Sequence, residues 1–262
     1  MTNGLIDSHC HLDAPEFAAD RAQVLAAARA AGVEVFLVPG VERAGFPGVA
    51  ELAAAQAGIA PAYGIHPLYV HRAGDEDFEA LTDWVRRPGT VAVGEIGLDG
   101  FVSDRDPARQ EEVFARQLRL AAQEDLPVVL HVRHAVEAVI LQLKRCPVPG
   151  GIAHAFNGSR QQAETLLAMG FALGFGGAMT FSGSRRIREL AATLPAEAIV
   201  LETDAPDIPP QWAQGVRNEP ANLFRFAEVL AQLRATSVAE IAYQVRENAC
   251  RVIPRLRPYL AG

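Results

Sequence analysis

Residues 126–133 read LPVVLHVR, an apolar and β-branched run that ends in a histidine and an arginine. It is too short for a typical helix, and the 3.6-type spacing of Pro107 to Glu124 lies just upstream, with Pro107 suited to a first helical turn. The pair predicts a helix followed by a strand, Pro127 to Val132. The same unit recurs along the chain. Further strands are expected at Leu5 to Ser8, Val33 to Pro39, Ile59 to Ile65, Thr90 to Gly94, Gly151 to Ala155, Phe171 to Gly176 and Ala198 to Glu202. Helical spacing fills the intervals, as at Glu16 to Ala31, and two helices, Ala221 to Arg234 and Ser237 to Leu256, close the chain. A doubly wound sheet shares this alternation, but eight strands, each followed by a helix, in 262 residues predict an α/β fold of the TIM (β/α)8 barrel type. No repeat or low-complexity linker divides it, so residues 1–262 are read as a single domain.

Composition narrows the function classes. A net charge of −7 predicts no broad basic surface and counts against non-specific nucleic-acid binding by counterion release. It leaves room for a nuclease whose positive charge is local, on bound metals and a few arginines. Cys10, Cys146 and Cys250 are widely spaced with no CxxC pair, which argues against disulfides and thiolate zinc sites. No run approaches the roughly 20 apolar residues of a membrane span, and the N-terminus leaves no room for a signal peptide. A cytoplasmic protein that does not engage a membrane is expected, with a monomer as the simplest state.

In a barrel the chemistry lies at the C-terminal ends of the strands. Five of the seven histidines fall there: His9 and His11 in DSHCHLD, His66 in YGIHP, His131 in LHVR and His154 in IAHAFNG. Glu95 and Asp99 in GEIGLD, and Glu202 and Asp204 in LETDAP, add carboxylates at two further ends. Alone, the HxH pair could be two hydrogen-bonded loop histidines; its Cα atoms would stand roughly 6.5 Å apart, pointing one way. Jointly, the strand ends predict a metal site. Imidazole with carboxylate suits Zn²⁺, Mn²⁺ or Fe²⁺ and tolerates Mg²⁺ where water completes the shell. Six potential ligands, His9, His11, Glu95, His131, His154 and Asp204, exceed what one open catalytic site needs, so two divalent ions are expected. His9, His11 and Asp204 would form one group and His131 with His154 the other, with Glu95 bridging. Lys144, the only lysine, lies in a predicted helix, so a carboxylated-lysine bridge is not expected.

With these residues in place the chain resembles the TatD family of metal-dependent deoxyribonucleases, in the amidohydrolase superfamily. DSHCHLD, GIHP, GEIGLD, LPVVLHVR, HAFNG, LETDAP and RNEPAN occur in the family's order over nearly the whole sequence. The resemblance implies a barrel with two divalent metals on the same six residues and phosphodiester hydrolysis of DNA, single-stranded or at strand ends, as an exonuclease. Two departures stand out: Gly100 then Phe101 after GEIGLD, where the family often has an aromatic residue directly, and Ala155 where it often has cysteine.

Further roles follow from that reading. Asp204, with Glu95 in the catalytic pair, is expected to orient a metal-activated water and take its proton. His66 is expected to contact phosphate or the leaving group rather than a metal. Arg133 could pair with a phosphate or form a salt bridge at the barrel rim, and Arg217 could hold substrate or anchor its loop. Glu202 is read as pointing away from Asp204, with a supporting role, and Asp7 and Asp13 as candidates for fixing histidine tautomers. His71 and His134 are expected to face solvent, Trp84 the core, and Trp212 is a candidate for the cleft wall. The alternative is an amide or ester hydrolase on the same two metals, such as a D-aminoacyl-tRNA deacylase; a non-enzymatic scaffold that kept its ligands is a third reading.

Overall fold

In the computed structural model, which describes residues 4–103 and 106–260, eight parallel strands alternate with helices. The strands are β1 Leu5–Asp7, β2 Val33–Pro39, β3 Ile59–Tyr63, β4 Ala92–Asp99, β5 Val128–Arg133, β6 Gly151–Ala153, β7 Phe171–Phe175 and β8 Ile199–Leu201. The helices are α1 Arg21–Ala30, α2 Phe46–Ala55, α3 Asp75–Val85, α4 Pro107–Gln123, α5 Val136–Arg145, α6 Arg160–Ala168, α7 Arg185–Thr193, α8 Leu223–Arg234 and α9 Val238–Val252. Strands pair strictly in chain order. The ring is drawn together by Ser8, whose backbone N and Oγ donate to Leu201 O at 3.1 and 2.9 Å. This is the TIM barrel that the alternation predicts.

Two apolar layers follow from strand alternation. One side of the strands supplies Phe36, Val38, Leu130, Leu173 and Leu201 to the layer shared with the surrounding helices. The other supplies Ile6, Val35, Leu37, Ala60, Ala62, Val129, Ile152, Ala172 and Val200, which pack with Ala249, Val252, Ile253 and Leu256 from the end of α9 and beyond. Arg255 donates to Thr90 O at 3.0 Å and Tyr259 Oη to Gly89 O at 2.8 Å, both just before β4. The C-terminal segment thus plugs the N-terminal mouth of the barrel and leaves the opposite mouth open for chemistry.

Local departures from the expected boundaries have identifiable causes. The expected strand Thr90 to Gly94 lies instead at Ala92–Asp99, because pairing with β5 continues from Ile96↔Leu130 to Asp99↔Arg133. Val93 to Ile96 faces only Val128 to Leu130, so β4 carries one extra residue beside Glu95. Such a bulge re-aims a side chain and is common next to active sites. The helix expected over Glu16 to Ala31 is split into a 3-10 turn, Pro15–Phe17, and α1. Arg21 sets the break: its guanidinium donates to Leu12 O, Asp13 O and Ala14 O. Pro107 does open α4, and Asp106 caps it by accepting from Arg109 N at 3.0 Å. The last helix stops at Val252 because Pro254 lacks an amide hydrogen and begins a 3-10 segment, Pro254–Leu260.

Candidate metal centre

Glu95 stands at the middle of the open mouth, buried, with its two oxygens facing different histidines. Oε2 lies 3.2 Å from His9 Nε2 and 3.4 Å from His11 Nε2. Oε1 lies 2.9 Å from His131 Nδ1, 2.9 Å from His154 Nε2 and 3.4 Å from His66 Nε2. Asp204 Oδ1 joins the first group, 3.3 Å from His9 and 3.7 Å from His11. His9 and His154 stack with ring centroids 4.0 Å apart, so the two groups share a wall. All six ligands expected from the strand ends therefore meet here, and His66 meets them too.

Hydrogen bonding alone does not account for this crowding. Glu95, Asp99, Glu202 and Asp204 are all buried around five imidazoles, and satisfying the carboxylates with protons would pack imidazolium rings against one another. The ionisation balance shows the tension. Burial works to raise the Glu95 carboxyl, but the fields of His154, His66 and His9 outweigh it and hold it well below the usual range. Burial pushes Asp204 up to about 7 against the opposing fields of His154 and His11. Burial pulls His11 down, yet Glu95 and Asp204 carry it to about 9, while burial and the field of His154 keep His9 well below the ordinary imidazole value.

Cations would relieve the site, and the donor geometry fits them. Ligand atoms about 2.1 Å from one ion stand roughly 3.0–3.4 Å apart in tetrahedral or octahedral arrangements, close to the 2.9–3.4 Å that separates the Glu95 oxygens from His9, His11, His131 and His154. Three sets of donor atoms lie mutually within 4.8 Å: His9, His11 and Glu95; His66, Glu95 and His131; His9, His154 and Asp204. The buried His9 Nδ1 and His154 Nδ1 have no hydrogen-bond partner among the described residues.

Surrounding groups hold the ring orientations. Asp99 accepts from His131 Nε2 at 3.0 Å and, through its other oxygen, from Phe101 N at 2.8 Å. Burial opposes its charge, but these bonds keep its carboxyl at about 2. Glu202 Oε1 accepts from Ala155 N at 2.5 Å and lies 3.8 Å from His154 Nδ1, behind the ring, in the supporting position expected of it. Neither Asp7 nor Asp13 touches an imidazole among the described contacts. Asp7 instead accepts from Thr203 Oγ1 at 2.6 Å and Thr203 N at 2.9 Å, tying the end of β1 to the end of β8, with burial pushing its carboxyl up to about 7. Asp204 adopts a left-handed backbone, φ 56°, which aims its carboxylate back over the mouth.

A cleft of about 1180 Å³ opens over these groups, with His134, Asn157 and Arg186 on its walls. Arg133 also lines it, and no rim salt bridge engages it among the described residues; its guanidinium lies 3.8 Å over the Phe101 ring. Arg217 is outside the cleft lining. It donates to Asp20 Oδ2 at 2.5 Å, to Glu219 Oε1 at 3.1 Å and to Glu16 O, which supports the loop-anchor reading over substrate contact. Trp212 is likewise absent from the cleft wall, donating to Asn222 Oδ1 at 2.9 Å and packing on Phe226. His71 faces solvent, and His134 is exposed at the cleft edge. Trp84 is half-buried against Phe46 and Tyr63. The residue that sequence reasoning passed over is Asn218, beside Arg217. It is fully buried, donates to Thr203 O and Ile208 O at 2.7 and 3.2 Å, and accepts from Glu219 N, holding the loop that carries Asp204.

A barrel with this histidine and carboxylate cluster at its open mouth defines a metal-dependent hydrolase. A family model described as TatD related DNase matches residues 6–254, and the chain belongs to the TatD family of metal-dependent hydrolases. An uncharacterised metal-dependent hydrolase of Escherichia coli K12, YjjV, is 40% identical over 93% of this chain and 95% of its own. The crystal structure of that TatD homologue superposes with a TM-score of 0.93 at 37% identity, covering 97% of this chain and 99% of the other. A relative described as a 3'-5' ssDNA/RNA exonuclease, TatD of Pantoea vagans, is 34% identical over 94% of this chain and 97% of its own. No helix of the described residues is long and apolar enough to cross a membrane.

Proposed function

We propose that the chain, 1–262, is one TatD-type deoxyribonuclease domain that hydrolyses phosphodiester bonds of single-stranded DNA or strand ends as an exonuclease. The observation that carries this reading is the divided contact of Glu95, one oxygen toward His9 and His11 and the other toward His131 and His154. That arrangement suits two adjacent divalent ions, Zn²⁺, Mn²⁺ or Mg²⁺, with His9, His11 and Asp204 on one side, His131 and His154 on the other, and Glu95 between. Held there, such ions would supply a water of lowered pKa and neutralise charge on a phosphate oxygen. Asp204 orients the attacking water and accepts its proton from its position at the rim. Arg133 meets a phosphate oxygen with its planar fork, and His66 contacts the phosphate or leaving oxygen. The nuclease reading over a carbonyl substrate draws support from the exonuclease description of the Pantoea relative and from the breadth of the cleft.

The test is cleavage of end-labelled single-stranded DNA by metal-stripped protein re-supplied with Mg²⁺, Mn²⁺ or Zn²⁺, beside Glu95→Ala. Metal-dependent shortening that the variant lacks supports the reading. Intact DNA from protein carrying about two ions per chain sends the assignment to amides and esters, D-aminoacyl-tRNA included.

A further inference from the structure

Five large apolar side chains are exposed among the described residues, Leu68, Phe101, Leu141, Val216 and Tyr243; Leu68 lines the metal-site cleft, and Phe101 lies just outside that lining against two of its residues, Arg133 and His134. Phe101 is the more exposed of these, at 57%. It is not a loose loop tip. Its amide donates to Asp99 Oδ1 at 2.8 Å, and the preceding Gly100 N donates to Arg133 O at 2.6 Å. A methyl group on Gly100 would come within 2.5 Å of His134 O, so glycine is what lets this loop lie against the end of β5. Arg133 covers one face of the ring, with Cζ 3.8 Å from its centroid, and His134 meets it edge-on at 5.5 Å.

Such an arrangement needs an explanation, since an exposed aromatic ring held rigid beside a charged cleft gains little from water. Across the cleft, Arg186 donates only to Asn157, at 2.7 Å to Oδ1 and 3.2 Å to O, so no described carboxylate neutralises either arginine of the walls. In a chain of net charge −7 these guanidiniums put two positive charges on cleft walls that also carry Glu137 and Asp207, and one of the two lies against the aromatic face. Polyanions with flat, unpaired rings match both features, whereas the paired bases of a duplex offer no free face.

Building on the phosphodiesterase reading, we propose that the free face of Phe101, backed by Arg133 and His134, stacks on a nucleobase of the substrate and makes the enzyme selective for unpaired strands. Because every base has a π-face, the platform is tolerant of sequence, and its contribution is of the size that a single stacked base supplies. Arg133 serves twice, fixing the ring and presenting its charge to the phosphate beside that base.

The experiment compares intact single-stranded DNA with oligonucleotides carrying one abasic site, moved a nucleotide at a time along the strand, using the metal-loaded enzyme. At one position the abasic substitution should lower kcat/KM about tenfold. In Phe101→Ala that ratio should fall to about one, in Phe101→Leu it should stay near one because the π-face is missing, and Phe101→Trp should restore it. Cleavage of DNA with no sensitive position, or a sensitive position that persists in Phe101→Ala, overturns the platform and leaves the phosphodiesterase reading standing. Failure of wild type to cleave any nucleic acid with any of the three metals overturns both.

Discussion

Glu202, just past the end of β8, reaches to within 3.8 Å of His154 Nδ1, the ring nitrogen turned away from Glu95. It has room to do so because β7 carries Gly174 between them: a methyl group there would sit 2.1 Å from Glu202 Oε2. A carboxylate behind an imidazole fixes the tautomer and raises the basicity of the nitrogen aimed at a metal. Glu202→Gln should therefore weaken metal affinity by about 10- to 100-fold. Gly174→Ala should act in the same direction by displacing the carboxylate. Chelator competition measures both, and wild-type affinity in the two variants would reduce Glu202 to a bond with Ala155 N.

Metal removal should be visible in stability as well as in turnover. Four buried carboxylates and five imidazoles face one another at the mouth, and a cation that binds only the folded chain shifts unfolding by mass action. At about 100 times the dissociation constant the gain is about 2.7 kcal/mol. For a chain of this length that corresponds to a rise in Tm of roughly 5–10 °C. Thermal unfolding of stripped protein titrated with Zn²⁺ or Mn²⁺ gives the answer, and a Tm that ignores both metals would count against a resident ion.

Asp204→Asn separates binding from proton transfer. The amide keeps the side chain's size and one oxygen 3.3 Å from His9, but it cannot accept the proton of an attacking water. Turnover should fall by about 10²- to 10⁴-fold while at least one metal stays bound. Single-turnover cleavage with parallel metal analysis checks this; near-normal rates would move the general base elsewhere, with His66 the next group to test.

The histidine and carboxylate cluster was legible because strand ends are where a barrel concentrates its polar groups, and its six candidate ligands stood at five strand ends in plain view. Less legible was anything that depends on what lies across the barrel. Gly94 and Glu95 read as the end of a strand, yet β5 continues the ladder to Asp99, and only that pairing reveals the bulge that turns Glu95 inward. His66 comes within 3.4 Å of Glu95 Oε1 through closure of the ring, which no local pattern encodes. The same holds for Phe101, whose loop position says nothing about the arginine that lies under it.

The RNEP segment gives the sharpest contrast between a conspicuous residue and a structural one. Arg217 attracts attention by its charge, yet it is committed to Asp20, Glu219 and Glu16 O at the surface. Asn218 next to it is fully buried and bonds Thr203 O, one residue before Asp204. Arg217→Ala should lower Tm modestly and leave kcat/KM within about twofold, because an exposed ion pair is worth little. Asn218→Ala strands Thr203 O and Ile208 O in the interior, at a cost of about 1–3 kcal/mol per unsatisfied group, and frees the loop that carries Asp204. It should lower both Tm and kcat, with KM changed least. Steady-state kinetics and thermal unfolding of the two variants, side by side, decide the matter: a large rise in KM in Arg217→Ala would return that residue to the substrate site.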